Sequence, residues 1–174
     1  MKRALFLLFL IISICFNIYS QENNAISLNI ENFTSMSKFG IVYERNINEY
    51  FSFALSGYFA KMPTMTVDPA GKVDTSDFGS LAHFRYYPFQ TSMKNFFWDI
   101  GVGYKLIIHE DWEEKSLMHL FPVQTRLGWT YCLKKLFLQP YIGYNKDFGN
   151  EHYMSDIVFK YGYPIFGLSF GMLF

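Results

Sequence analysis

Charge is the first thing this chain is short of. Asp, Glu, Lys and Arg make up 17% of its 174 residues, where an average soluble domain carries about 25%. The surface that normally meets water is therefore under-supplied. Acids and bases are equal in number, so the net charge is zero, and no bulk field of one sign draws the chain to nucleic acid. Cysteine is almost missing. Cys15 lies within the first twenty residues, which leaves Cys132 alone in the rest of the chain. A single cysteine cannot form an internal disulfide, so Cys132 reads as a small packing residue. After residue 20 no run of 18 apolar residues occurs, which excludes a spanning helix there.

What is present is apolar and aromatic. Hydrophobic residues make up 51% of the chain, with 20 Phe and 13 Tyr. The opening stretch MKRALFLLFLIISICFNIYS has a basic start at Lys2 and Arg3, an apolar run from Ala4 to Phe16 and a small residue at Ser20. That is the pattern of a secretory signal peptide, too short to span a bilayer as a helix. Ser13 and Ile14 before Cys15 do not make a lipoprotein box. The expectation is a signal segment over 1–20 and one exported domain over 21–174.

Residues 21–174 alternate. Ile26, Leu28 and Ile30 oppose Ser27, Asn29 and Glu31; Phe39, Ile41 and Tyr43 oppose Gly40, Val42 and Glu44. The stretches from Phe51, Gly79, Phe96, Phe121 and Leu136 repeat the pattern, most clearly in FFWDIGVGYKLII. The chain closes on PIFGLSFGMLF, where Phe166, Leu168, Phe170, Met172 and Phe174 share a face against Gly167, Ser169, Gly171 and Leu173. Period two is strand geometry, and the count is eight strands. Their connections differ in length. INE, QTSMKN and LKK are short, whereas 61–77, 109–119 and 146–162 are long and polar; TSMSK is the short exception on the long side.

An apolar row can face a core or lipid, and the opposite row decides between them. In a soluble lipocalin-like carrier that row would be rich in Lys, Glu and Asp. Here it is mostly Gly, Ser, Ala, Thr and Tyr, residues suited to the filled interior of a narrow barrel. Aromatics of the apolar row gather toward segment ends, at Phe96, Trp98, Trp129, Tyr131, Tyr144 and Phe174, as lipid-facing girdles do. The expected fold is an all-β, eight-stranded, antiparallel up-and-down transmembrane barrel.

The terminal alternation ending on Phe resembles the carboxy-terminal signal of Gram-negative outer-membrane barrels. The whole of 21–174 resembles the small OmpA/OmpX-type barrels, with RYYPF and QPYIGY similar to stretches in uncharacterised members. The resemblance implies a bacterial outer-membrane location. It also implies lipid and lipopolysaccharide as surroundings, and a barrel-assembly machinery that recognises Phe166, Leu168, Phe170, Met172 and Phe174.

Charges on the inward row are few: Glu31, Glu44, Arg85, Asp99, Lys105 and Arg126, with His83 beside them. Buried charges need partners, so an ion-pair network closing the lumen is expected, centred on Glu44, Arg85, Asp99, Lys105 and Arg126. A small-ion path through the same residues is the competing reading. An acyl hydrolase or transferase acting on lipid A would need a nucleophile and a base near the rim. His109 with Ser116, oriented by Glu110, Asp111, Glu113 or Glu114, or His152 with Ser155, could be placed so. The family's deacylase pattern is absent, and the expectation is no catalytic residue, no cofactor and no metal. Glu110, Asp111 and Glu114 could hold a divalent cation only as adjacent acids in a loop. Met62, Met65, Val67, Trp112 and Met118, with Pro63 and Pro69, offer apolar loop surface for an extracellular partner whose identity the sequence does not give.

Overall fold

The computed structural model describes residues 23–33, 36–68, 71–89, 93–110, 115–149 and 162–174. The signal segment expected at 1–20 lies outside them. Eight strands form: β1 Asn24–Phe33, β2 Met36–Asn46, β3 Phe51–Asp68, β4 Gly71–Tyr86, β5 Asn95–Glu110, β6 Lys115–Leu133, β7 Leu136–Gly149 and β8 Tyr163–Leu173. Each pairs antiparallel with the next, and β8 pairs back onto β1, so the sheet closes into a barrel. The last residue completes the seam. Phe174 N–H donates to the Asn24 carbonyl at 2.9 Å, and Asn24 N–H donates to the Phe174 carbonyl at 3.1 Å. Closure removes the unpaired edges that an open sheet would present.

The two rows separate as the alternation requires. Ile26, Leu28, Phe39, Ile41, Phe53, Ile100, Val102, Leu127, Ile142, Phe166 and Phe170 are exposed on the outside. The most deeply buried large side chains include Arg85, Arg126, His83, Asp99 and Gln139. That reverses the usual soluble arrangement, and it is the arrangement of a barrel surrounded by hydrocarbon.

Inward rings are accommodated by glycines on the following strand. Tyr58 lies over Gly79, His83 over Gly101, Phe97 over Gly128 and Tyr141 over Gly167, where a Cβ would collide with the ring. Each of these is a direct register pair. A narrow barrel has no room for two large side chains at one rung, so a large residue on one strand is matched by none on the next.

The short connections are locally built. In the β2–β3 turn the Asn48 side-chain oxygen accepts from the Tyr50 and Phe51 amides at 2.9 Å each. In the β4–β5 turn Met93 takes a positive φ of 60°. Its side chain is buried with Ala25, Phe137 and Leu173, an apolar plug across that end of the lumen.

The opposite end differs from the sequence expectation. Much of 61–77 and 109–119, expected as loop, is strand: β3 and β4 pair from Lys61↔Ser76 up to Asp68↔Gly71, and β5 and β6 pair up to Glu110↔Lys115. β7 likewise runs to Gly149. Strand alternation is written by burial on one face, whereas backbone pairing leaves no such trace, so a ladder can continue where the sequence reads as loop.

Candidate functional site

Two groups of charged side chains fill the lumen. The lower one begins with register. Arg85 faces Asp99 across β4 and β5, and Asp99 faces Arg126 across β5 and β6, so three successive strands place alternating charges on one rung. Asp99 accepts from Arg85 Nε at 3.1 Å, from Arg126 Nε at 3.0 Å and from Arg126 Nη2 at 2.7 Å. Glu44 accepts from Arg85 Nη1, from the Ser52 hydroxyl, and from Tyr87 OH at 2.6 Å. Gln139 accepts from Arg85 at 3.1 Å and donates to Thr130 at 2.8 Å. The guanidinium of Arg85 lies 5.0 Å from the Phe97 ring centre, and that of Arg126 lies 4.9 Å from Tyr141. Each arginine thus has a carboxylate and an aromatic face, which offsets much of the cost of burying it.

The upper group is separate. Lys105 pairs with Asp147 at 2.7 Å and with Asp77 at 3.4 Å, while Lys38 stands 3.6 Å from its register partner Glu31. Glu31 also accepts from Gln124 and from Tyr141, each at 3.1 Å. A small cavity lies beside this group, lined by Glu31, Lys38, Ser56, Tyr58, Gln124 and Arg126, among others. Gln124 Oε1 has no hydrogen-bond partner. The amide cannot be turned to cure this, because Glu31 requires the donor end.

Of the residues expected from sequence, Glu44, Arg85, Asp99 and Arg126 meet in the lower group, and Lys105 with Glu31 belongs to the upper one. Sequence reasoning missed Lys38, Asp77 and Asp147, all buried. Among the described residues the inward balance is therefore five acids (Glu31, Glu44, Asp77, Asp99, Asp147) against four bases (Lys38, Arg85, Lys105, Arg126), not three against three. The signal was available. Lys38 continues the parity of Gly40, Val42 and Glu44; Asp77 that of Gly79, His83 and Arg85; Asp147 that of Tyr141 and Asn145. Each sat where the expected strand had been ended one rung early.

The lower group contains a serine, histidine and aspartate in proximity: Ser56 Oγ is 3.2 Å from His83 Nε2, and His83 Nδ1 is 3.6 Å from Asp99. Its hydrogen bonding runs opposite to a hydrolase triad. Arg126 Nη2 donates to His83 Nδ1 at 2.7 Å, so that nitrogen is the acceptor and the proton sits on Nε2. Nε2–H then points at the Ser56 oxygen, which donates onward to the Leu81 carbonyl at 3.4 Å. A histidine holding its proton toward the serine cannot take the serine's proton.

The rim candidates fare differently. His109 and Ser116 are register partners across β5 and β6, and Glu110 is the partner of Lys115. Asp111, Trp112, Glu113, Glu114, His152 and Ser155 lie outside the described residues, as does Pro69. Met62, Pro63, Met65 and Val67 fall on β3 beyond the barrel, and Met118 on β6. Phe166, Leu168 and Phe170 are exposed on the outer row of β8, with Met172 and Phe174 half-buried at its end. Cys132 is half-buried, its thiol 3.6 Å from the Met93 carbonyl.

Neither a family model nor a curated protein matches the sequence. Solved structures do. The N-terminal β-barrel domain of Pseudomonas aeruginosa OprF superposes with a TM-score of 0.56 at 14% identity, over 90% of this chain and 100% of that one. Ail, the attachment invasion locus protein of Yersinia pestis, gives 0.49 at 8% identity, covering 88% and 98%. Neisserial surface protein A gives 0.43 at 13% identity, covering 86% and 92%. The fold is that of the small eight-stranded barrels.

Proposed function

We propose that this chain is an integral outer-membrane protein, exported by its first twenty residues, with a lumen closed to permeation and no catalytic activity. Its role is structural or one of surface contact, exercised at the end where β3 to β6 extend beyond the rest. One observation carries the reading: an apolar exterior encloses an interior in which arginine and lysine side chains are matched by carboxylates at rung after rung. Such an interior is costly to open, since removing one partner strands a buried charge. It is also a poor conduit, because an eight-stranded barrel is just wide enough to be filled by side chains.

The extension supports the surface role. β1 and β2 stop pairing at Phe33↔Met36 and β7 and β8 at Asn145↔Tyr163, while β3 with β4 and β5 with β6 continue to Asp68↔Gly71 and Glu110↔Lys115. A segment that projects from a closed barrel is well placed for contacts with other molecules. Lipopolysaccharide and the barrel-assembly machinery, which would read the outward row of Phe166 to Phe174, are the partners this location brings. The extracellular ligand is not named.

Two measurements test this. In gels of isolated outer membranes the unheated protein should run faster than the boiled one, since a closed barrel resists detergent until heated. In planar bilayers it should give no single-channel steps. Conductance steps that vanish in Arg126→Ala would replace the closed lumen with an ion path. Recovery in the soluble periplasm without a mobility shift would replace the membrane barrel with a soluble carrier.

A further inference from the structure

A net charge of zero conceals a separation of charge along the barrel axis. Among the described residues, the end carrying the three short connections presents Arg45, Lys94, Lys134 and Lys135, all exposed, against Glu49. Among the described side chains of this end, four cations stand against one anion, an excess of positive charge. A large apolar side chain is exposed in or beside each connection: Ile47 at 60%, Phe89 at 61% and Leu133, the last residue of β6, at 75%, the most exposed large hydrophobic among the described residues. Turns that stand in water favour Gly, Asn, Asp and Ser. Here Arg45 at the end of β2 adjoins Ile47 in the first turn, which Asn48 closes; the second turn carries Phe89 and Lys94, and Leu133 at the end of β6 adjoins Lys134 and Lys135 in the third.

Resting on the membrane reading above, we propose that this end of the barrel is seated among anionic phospholipid headgroups. Ile47, Phe89 and Leu133 enter the acyl boundary, and Arg45, Lys134 and Lys135 meet headgroup phosphates. Apolar side chains at the interface gain by leaving water, and basic residues beside them gain from a negative lipid surface. A polysaccharide would suit the cations but would leave three large apolar side chains in water. A zwitterionic lipid would cover the apolar groups and leave the excess positive charge without a counterpart. Anionic phospholipid answers both.

The test uses the protein folded into nanodiscs of mixed phosphatidylethanolamine and phosphatidylglycerol, reading the ratio of the two lipids retained on extraction against the bulk ratio. The wild type should retain phosphatidylglycerol several-fold in excess, up to roughly fivefold for each cation in contact. A triple variant, Arg45→Gln with Lys134→Gln and Lys135→Gln, should return to the bulk ratio while keeping its heat-dependent gel mobility. No enrichment in the wild type, or equal enrichment in the triple variant, overturns the proposal. So does co-sedimentation with purified peptidoglycan that the triple variant loses, which would assign the collar to a glycan. A chain that fails to enter nanodiscs and shows no mobility shift fails at the membrane reading itself, a distinguishable result.

Discussion

Asp99 holds more of the interior together than its size suggests. It lies between two guanidiniums on adjacent strands, and both of its oxygens are engaged. Glu44 gives Arg85 a second carboxylate, but Arg126 has Asp99 as its only carboxylate partner among the ion pairs of the described residues. Asp99→Asn should therefore cost about 3–5 kcal/mol, the range for breaking a buried pair from one side. The measurement is the shift in urea unfolding followed by tryptophan fluorescence in micelles. Replacing Asp99 with Leu and Arg126 with Met together removes both members and leaves Arg85 on Glu44. That double variant should recover part of the loss, because neither charge of the pair is then buried alone. A double variant less stable than Asp99→Asn would mean that the pair contributes more than its desolvation costs. At this scale the sequence was legible wherever parity could be counted. Glu44, Arg85 and Asp99 fall on inward positions of clear strands, and so does Arg126. Which charge pairs with which was not legible, because cross-strand register is fixed by turn geometry rather than by either strand alone.

At the scale of strands, the same dependence on register explains the glycines. Read singly, Gly79, Gly101, Gly128 and Gly167 are small inward residues in a narrow barrel. Read as pairs, each makes room for one ring of the preceding strand. Gly167→Ala would place a methyl group 2.6 Å from Tyr141 Cε1 and force the ring aside. Tyr141 donates to Asn29 at 3.0 Å and to Glu31 at 3.1 Å, so moving it disturbs the upper charge group as well. A loss of about 1–3 kcal/mol is expected, typical of overpacking a filled interior. Gly57→Ala is the matched comparison, since nothing lies within 4 Å of an added Cβ there, and it should leave the unfolding midpoint almost unchanged. Equal effects from the two substitutions would mean that backbone freedom, not space, is what these glycines provide. The strand ends were the least legible feature. Within the barrel, burial on one face writes a period of two into the sequence. Through Lys61–Asp68 and Lys115–His119 backbone hydrogen bonds, which leave no compositional trace, carry the ladder further.

For the whole molecule the decisive property is the reversal of inside and outside, and it bears directly on the tryptophans. The chain has three. Trp98 and Trp129 point outward and are exposed, whereas Trp112 lies outside the described residues. An outward indole in hydrocarbon still needs a partner for its N–H. Trp98 finds one on the neighbouring strand, donating to Thr125 Oγ1 at 2.9 Å, and Thr125 in turn donates to the Asp99 carbonyl at 3.1 Å. The polar tip is thus satisfied within the sheet, and only the apolar ring is offered outward. In a Trp112→Phe variant, Trp98 and Trp129 are the only emitters. Bilayers of phospholipid brominated along the acyl chains should then quench more than half of the emission relative to unbrominated lipid, while acrylamide in the water phase should quench little. A soluble barrel with the same strands would have to turn its apolar row onto a core. Both indoles would then be out of reach of lipid, and the brominated bilayer would leave their emission unchanged. The contrast follows from a single parity: one residue of register slip would exchange the two rows, placing Trp98 in the lumen and Asp99 in hydrocarbon, which a charge without a partner does not tolerate.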